Sequence, residues 1–294
     1  MYLLKILLLA VVQGLCELLP VSSSAHVIVA AKLLGLDPTS PEMTLLLVAL
    51  HTGTMFAVIV YFWQTWRAEY FASAAVFWRA ARQVVIATAA TGVIGLCLLV
   101  LIEKVILRGQ PHAEVEHLFG NLTLVAAALA AVGVLIIIAG GSREAAAAAH
   151  SEGGNRELHA PQSLWIGAVQ GLCLPFRGFS RSGATISTGL LLGVARRRAE
   201  SFSFALAVVL TPPVIVREVH RLMKARAEAA AHGEVLIHWS GTAVPCVLGM
   251  VASFVAGLLA LRWLSRWLEQ GRWRLFGIYC LAAAVVVFLL GRYY

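Results

Sequence analysis

Six stretches of the chain are apolar for long enough to cross a bilayer, which takes about 20 residues. They are 43–63, 84–106, 118–141, 201–219, 244–263 and 275–291. Polar or charged links separate them at 66–82, 103–117, 141–163, 217–239 and 262–274. Two further apolar stretches, 3–36 and 164–194, are broken near their middles by Pro, Gly and Ser, and each half is too short to span. The pattern predicts an all-α polytopic membrane protein with about six transmembrane helices and two broken, re-entrant helical hairpins.

The two broken stretches resemble each other. Val12-Gln13-Gly14-Leu15-Cys16 recurs as Val169-Gln170-Gly171-Leu172-Cys173, an offset of 157 residues. The same offset carries Ser23 onto Ser180 and moves the first three long spans onto the last three. An internal duplication is the simplest account: a first repeat at 1–141, a linker at 142–160 and a second repeat at 161–294, each a hairpin plus three spans. Three crossings per repeat is an odd number, so the second copy is expected to be inverted. Irregular backbone inside a membrane must be buried in protein or line a wet cavity. The two breaks are therefore expected to face each other around one polar site.

Composition agrees with the bilayer. The 294 residues are 60% apolar and only 13% charged, against about 25% charged in a soluble domain. Disorder is excluded by the same numbers. The net charge of +8 sits mostly in links between apolar runs and forms no basic stripe interleaved with aromatics, so no nucleic-acid partner is expected. The five cysteines all fall in apolar stretches and read as buried free thiols. Residues 1–16 imitate a signal peptide but lack a small-residue cleavage pattern, and read as a retained helix. Placing 66–82, 141–163, 196–198 and 262–274 inside puts twelve basic residues there against nine outside, a slight preference for both termini outside.

Few charged groups lie where lipid surrounds the chain. Of 15 carboxylates, Glu17 alone stands in the middle of an apolar stretch. A charge at that depth costs about 2.5–3.5 kcal/mol, so it faces a cavity and has a partner. Gln13 lies one turn earlier on the same face, and together the two can offer three oxygens to a metal ion or a substrate. The first break follows as Pro20-Val21-Ser22-Ser23-Ser24-Ala25-His26. Proline stops a helix and serine caps the next, while Ser22, Ser23 and Ser24 also form a hydroxyl cluster beside His26. His51, a lone histidine in an apolar span, is expected to be packed and hydrogen-bonded rather than catalytic.

The second break reads Arg177-Gly178-Phe179-Ser180-Arg181-Ser182-Gly183-Ala184-Thr185. Gly178 and Gly183 allow close backbone approach, and a helix is expected to start at Ser182–Gly183, with N–H groups suited to phosphate oxygens. Arg181 adds a planar fork, and Ser180, Ser182 and Thr185 add donors. An alternative for Arg181 is an ion pair with Glu17 that bridges the repeats. Cation, hydroxyls and helix start opposite carboxylate, serine and histidine suit a phosphate ester or anhydride. The membrane setting makes that substrate a lipid.

At these residues the chain resembles the BacA family of undecaprenyl-diphosphate phosphatases. Gln13 and Glu17 match its first motif, which runs on into Pro-Val-Ser-Ser-Ser and His26, and Ser180–Thr185 match its second. The run from Glu200 to Val208 and Thr211-Pro212 also fits. The resemblance implies hydrolysis of C55 isoprenyl diphosphate to the monophosphate and phosphate, which recycles the peptidoglycan lipid carrier. It further implies a divalent cation (Mg2+ or Ca2+) and a bacterial inner-membrane site open to the periplasmic side. Carried over, Glu17 serves the metal or acts as base with Gln13 assisting, Ser23 and His26 are candidates for nucleophile and proton transfer, and Ser180, Arg181 and Thr185 hold the diphosphate. Three positions depart from the family pattern: Arg177 replaces a proline, Ala25 a glycine, and Gln13 one of two carboxylates.

A transporter or flippase for a polyprenyl phosphate or another anion is the alternative function. It accounts for Arg181, the glycines and the serines, and less readily for Glu17 and His26. The acid-phosphatase-like lipid phosphatases are excluded, because Arg181 is not followed by their spaced His and Asp. Whether Ser23, His26 or a water attacks is left open by the sequence, and a homodimer is compatible with it.

Overall fold

The computed structural model describes residues 2–36, 40–106, 121–142, 158–231 and 239–292, and within them the regular structure is all helix, joined by turns and short links. Before the linker come α1 (Tyr2–Leu18), α2 (Ser23–Leu33), α3 (Pro41–Tyr70), α4 (Ala74–Leu101) and α5 (Leu122–Gly141). After it come α6 (Ala160–Leu172), α7 (Arg181–Leu191), α8 (Arg196–Ala231), α9 (Trp239–Glu269) and α10 (Trp273–Leu290). Six described helices are long and apolar enough to cross a membrane, at 41–70, 74–104, 122–141, 196–224, 243–269 and 273–290. These are the six expected spans. The remaining four, α1, α2, α6 and α7, have 17, 11, 13 and 11 residues and pair as two hairpins across the breaks. Most of the linker at 142–160 lies outside the described residues.

Local chemistry sets the helix starts. Ser40 accepts a hydrogen bond from the Met43 amide at 3.2 Å with Pro41 at the first helical position, and Ser73 accepts from Val76 at 3.3 Å. Asn121 caps α5 through the amides of Thr123 and Leu124. Two links are shorter than the hydropathy implied. Only residues 71–73 separate α3 from α4, and α8 continues through Pro212 and Pro213 to Ala231. Beyond 217 the segment is polar but rich in Arg, Glu, Lys and Ala, all strong helix formers, so leaving the apolar stretch does not end the helix. Near the prolines, the Thr211 hydroxyl donates to the Ala207 carbonyl at 2.7 Å.

Each hairpin packs on a crossing distant in sequence: helix α1 lies against α9, and helix α6 against α4. The duplicated glycines explain why both contacts are close. A Cβ on Gly14 would lie 2.6 Å from the Ser253 carbonyl oxygen, and one on Gly171 would lie 3.0 Å from that of Thr91. Small residues let backbones approach in a membrane, where packing takes over from the hydrophobic effect. Helices α5 and α10 pack closely against each other, and so do α3 and α9.

A polar cluster ties α3, α8 and α9 together at one end of the molecule. Arg198 meets Glu69 at 3.3 Å, Ser201 donates to the same carboxylate at 3.0 Å, and Arg197 meets Glu269 at 2.9 Å. Glu200, in the same cluster, is almost fully buried, so Glu17 is not the only carboxylate enclosed by protein. It accepts from Ser265 at 2.6 Å, and Ser265 in turn accepts from Tyr61 at 2.9 Å.

Candidate active site

The two breaks meet. Pro20 follows α1, and the chain turns through Val21 and Ser22 before α2 begins at Ser23. In the second repeat α7 begins at Arg181, one residue earlier than expected, because Ser180 caps it by accepting from the Gly183 amide at 3.2 Å. Hydrogen bonds and an ion pair join the two broken stretches. The Gly178 amide donates to Ser24 Oγ at 3.3 Å, Ser182 Oγ donates to the Leu19 carbonyl at 3.2 Å, and Arg181 Nη2 lies 3.4 Å from Glu17 Oε1.

Glu17 is the hub. Its Oε2 accepts from Ser23 Oγ at 2.6 Å and from Gln13 Nε2 at 3.1 Å, while Arg181 holds Oε1. The bridging ion pair and a phosphate-binding role for Arg181 are compatible, since Arg181 Nη1 is buried with no hydrogen-bond partner. A buried guanidinium nitrogen in that condition calls for an acceptor. His51 is hydrogen-bonded as expected, Nδ1 lying 2.7 Å from the Leu47 carbonyl, but its side chain is 40% exposed rather than packed away. It is nevertheless part of the site, because Nε2 lies 3.6 Å from Glu17 Oε2. The cue for it was the run His51, Thr52, Thr54 in an otherwise apolar helix.

A cavity of about 250 Å³ opens beside this cluster. Glu17, Ser22, Ser23, Ser24, Ser180 and Arg181 give it a polar side, to which Arg177 adds. Cys16, Cys173, Leu174, Phe176 and Phe179 give it an apolar side. The first residues of α2 and α7 both line it, so two helix N-termini with their partial positive charge face the same space. Under the 157-residue offset Cys16 pairs with Cys173 and Glu17 with Leu174, and all four line this cavity. A second void, of about 10 Å³, lies against Glu17, His51, Thr54, Arg181 and Thr211 and has room for about one water.

Other candidate residues stand behind the wall. Thr185 Oγ1 is fully buried, donating to the Arg181 carbonyl at 2.8 Å and lying 2.6 Å from Ser203 Oγ, so it braces the turn that carries Arg181. Ser182 is occupied with Leu19, and the Gly183 amide with Ser180. Gly178 has φ 102° and packs against the Val125 carbonyl, a position with no room for a side chain. His26 points away from Glu17. Its Nδ1 lies 2.8 Å from the Ser22 carbonyl and its Nε2 2.6 Å from Tyr279 Oη on α10. Ser22 itself has φ 66°, the only positive value for a non-glycine among the described residues. Such backbone costs about 1–3 kcal/mol and persists where its surroundings impose it.

For a divalent cation the site offers hard oxygens from Glu17, the Gln13 amide and the Ser23 hydroxyl. Among the described residues no three His, Cys, Asp or Glu side chains converge as a metal cluster. One carboxylate with amide and hydroxyl oxygens fits Mg2+ of the kind that completes its shell with water and substrate phosphate.

The chain is 57% identical over 290 residues to undecaprenyl-diphosphatase 2 of Acinetobacter baylyi, covering 99% of this chain and 98% of that one. It is 34% identical over 281 residues to the undecaprenyl-diphosphatase of Thermus thermophilus, covering 95% and 94% of the two chains. Undecaprenyl-diphosphatase 2 of Burkholderia orbicola is 33% identical over 298 residues, covering 96% and 94%. The family model described as bacitracin resistance protein BacA matches residues 6–286. With both breaks, the hub carboxylate and the capped arginine inside that match, the chain belongs to the BacA family.

Proposed function

We propose that this chain is an integral membrane phosphatase that hydrolyses undecaprenyl diphosphate to undecaprenyl phosphate and inorganic phosphate, returning the lipid carrier to peptidoglycan synthesis. One observation carries the reading: Ser23 Oγ lies 2.6 Å from Glu17 Oε2, with Arg181 3.4 Å from the other oxygen. That is a hydroxyl beside a base, next to a cation with an unused nitrogen. The names of the relatives support the same substrate.

In this mechanism Ser23 Oγ attacks the terminal phosphorus and passes its proton to Glu17 Oε2. The phosphoanhydride bond breaks, and undecaprenyl phosphate leaves with the bonding electron pair and takes up the proton from Glu17, which returns to the carboxylate. Arg181 holds the non-bridging oxygens through Nη1, and the N-termini of α2 and α7 add positive potential as charge develops. Water, deprotonated by Glu17, then attacks the phosphoserine phosphorus and releases phosphate, returning the hydroxyl to Ser23. Ser22, Ser24 and Ser180 offer further donors from the cavity wall. Glu17 and Gln13 would hold a divalent cation, Mg2+ or Ca2+. When bound, it supplies positive charge to the diphosphate oxygens.

The chain belongs in this reading to the bacterial inner membrane, its repeats inverted and its cavity open to the periplasmic side. The slight basic excess on the other side supports that orientation. A homodimer is compatible with it, and nucleic acid has no place in it. A transporter accounts for Arg181 but gives no use to a serine held against a carboxylate. The test is phosphate release from a polyprenyl diphosphate with Mg2+ or Ca2+ by the purified protein in detergent. Glu17→Ala and Arg181→Ala are each expected to lower turnover by about 10²–10⁴-fold. No release by wild type, or full release by either variant, overturns the enzymatic reading.

A further inference from the structure

The first break is held from the far side by α10. Two consecutive residues of that helix reach it: Cys280 Sγ donates to the Pro20 carbonyl at 3.2 Å, and Tyr279 Oη lies 2.6 Å from His26 Nε2. The rings of Tyr279 and His26 stack as well, with centroids 5.7 Å apart and planes 13° from parallel. Hydrogen-bond chemistry fixes the direction of this relay. A carbonyl oxygen only accepts, so the His26 nitrogen 2.8 Å from the Ser22 carbonyl, Nδ1, carries the hydrogen. In that tautomer Nε2 is the acceptor, and the Tyr279 hydroxyl donates to it.

The Ser22 carbonyl at the end of the relay belongs to the residue with φ 66°. The next residue is Ser23, whose hydroxyl lies 2.6 Å from Glu17. A serine does not adopt that backbone unaided. We infer that Tyr279 is a positioning residue for the reaction: through His26 it holds the Ser22 peptide in its strained conformation and so aims Ser23 at Glu17. His26 then acts as the middle of a strut, both ring nitrogens being engaged away from Glu17. This rests on the phosphatase reading with Ser23 as nucleophile.

Tyr279→Phe removes the hydroxyl and keeps the stacked ring. Phosphate release is expected to fall about tenfold to a hundredfold in kcat, with KM for the diphosphate unchanged, since a small misplacement of a reacting group costs that much. His26→Ala added to Tyr279→Phe is expected to cost no more than His26→Ala alone. A further readout distinguishes aiming from general support. Glycine adopts positive φ freely, so in a Ser22→Gly background the same Tyr279→Phe change is expected to cost less than about twofold. Three results each overturn the inference: wild-type kcat in Tyr279→Phe, multiplying losses in the His26 pair, or an equal loss with and without Ser22→Gly. Wild-type turnover in the same assay reports separately on the phosphatase reading.

Discussion

Ser23 and His26 are three residues apart on one helix, yet they face different neighbours. Ser23 meets Glu17, whereas His26 meets Tyr279 on α10. Ser23→Ala is therefore expected to abolish phosphate release, and His26→Ala to leave a measurable remainder, because it removes support and leaves the hydroxyl. Single-turnover assays of both variants check this, and the reverse order would return His26 to the role of nucleophile. Glu17 and Arg181 were legible in the sequence because ionised groups in apolar stretches are costly and must be compensated. The proximity of His26 to Glu17 in sequence was a poorer guide, since the turn through Pro20, Val21 and Ser22 lies between their two helices and sets where each side chain goes. Tyr279 gave no signal, an aromatic in a terminal apolar helix being ordinary.

Among the elements, the breaks were legible and their partners were not. Proline, glycine and serine clusters mark where a helix stops and the next is capped, and the structure has α1–α2 and α6–α7 meeting across those clusters. Which crossing each hairpin would lie against depends on shape matching between distant residues, and hydropathy is blind to it. The repeated Gly14 and Gly171 were visible as identities, and their use emerges only from the contacts on α9 and α4. A Cβ on Gly171 would also come within 2.8 Å of Ile94 Cβ. Gly171→Val is expected to destabilise the protein by about 1–3 kcal/mol through overpacking. Thermal unfolding in detergent measures it, and a melting temperature at the wild-type value would contradict the close α4–α6 contact. Helix ends were the least legible, as α8 shows: solvation changes where the membrane stops, but strong helix formers carry the helix on.

At the scale of the molecule, topology turns on a count of crossings. If each hairpin returns to the side it entered, the linker at 142–160 lies on the side opposite the termini, with 66–82, 196–198 and 262–274. The structure joins three of those segments directly, through Arg198 with Glu69 and Arg197 with Glu269. A cysteine introduced by Ser151→Cys, in a background whose native cysteines are replaced by alanine, is expected to resist a membrane-impermeant maleimide in intact cells. After permeabilisation it is expected to react. Labelling in intact cells would reverse the orientation.

Position 17 and its counterpart 174 face one cavity from the two copies, and they carry a carboxylate and a leucine. Arg181 has Ser24 as its counterpart under the same offset, so the cation too stands on one side only. With one of the pair turned to hydrocarbon, the chamber has a direction. An anionic headgroup is drawn to Arg181 and the helix starts, and a hydrocarbon tail to Leu174, Phe176 and Phe179, so the chamber is expected to admit a lipid in a single sense.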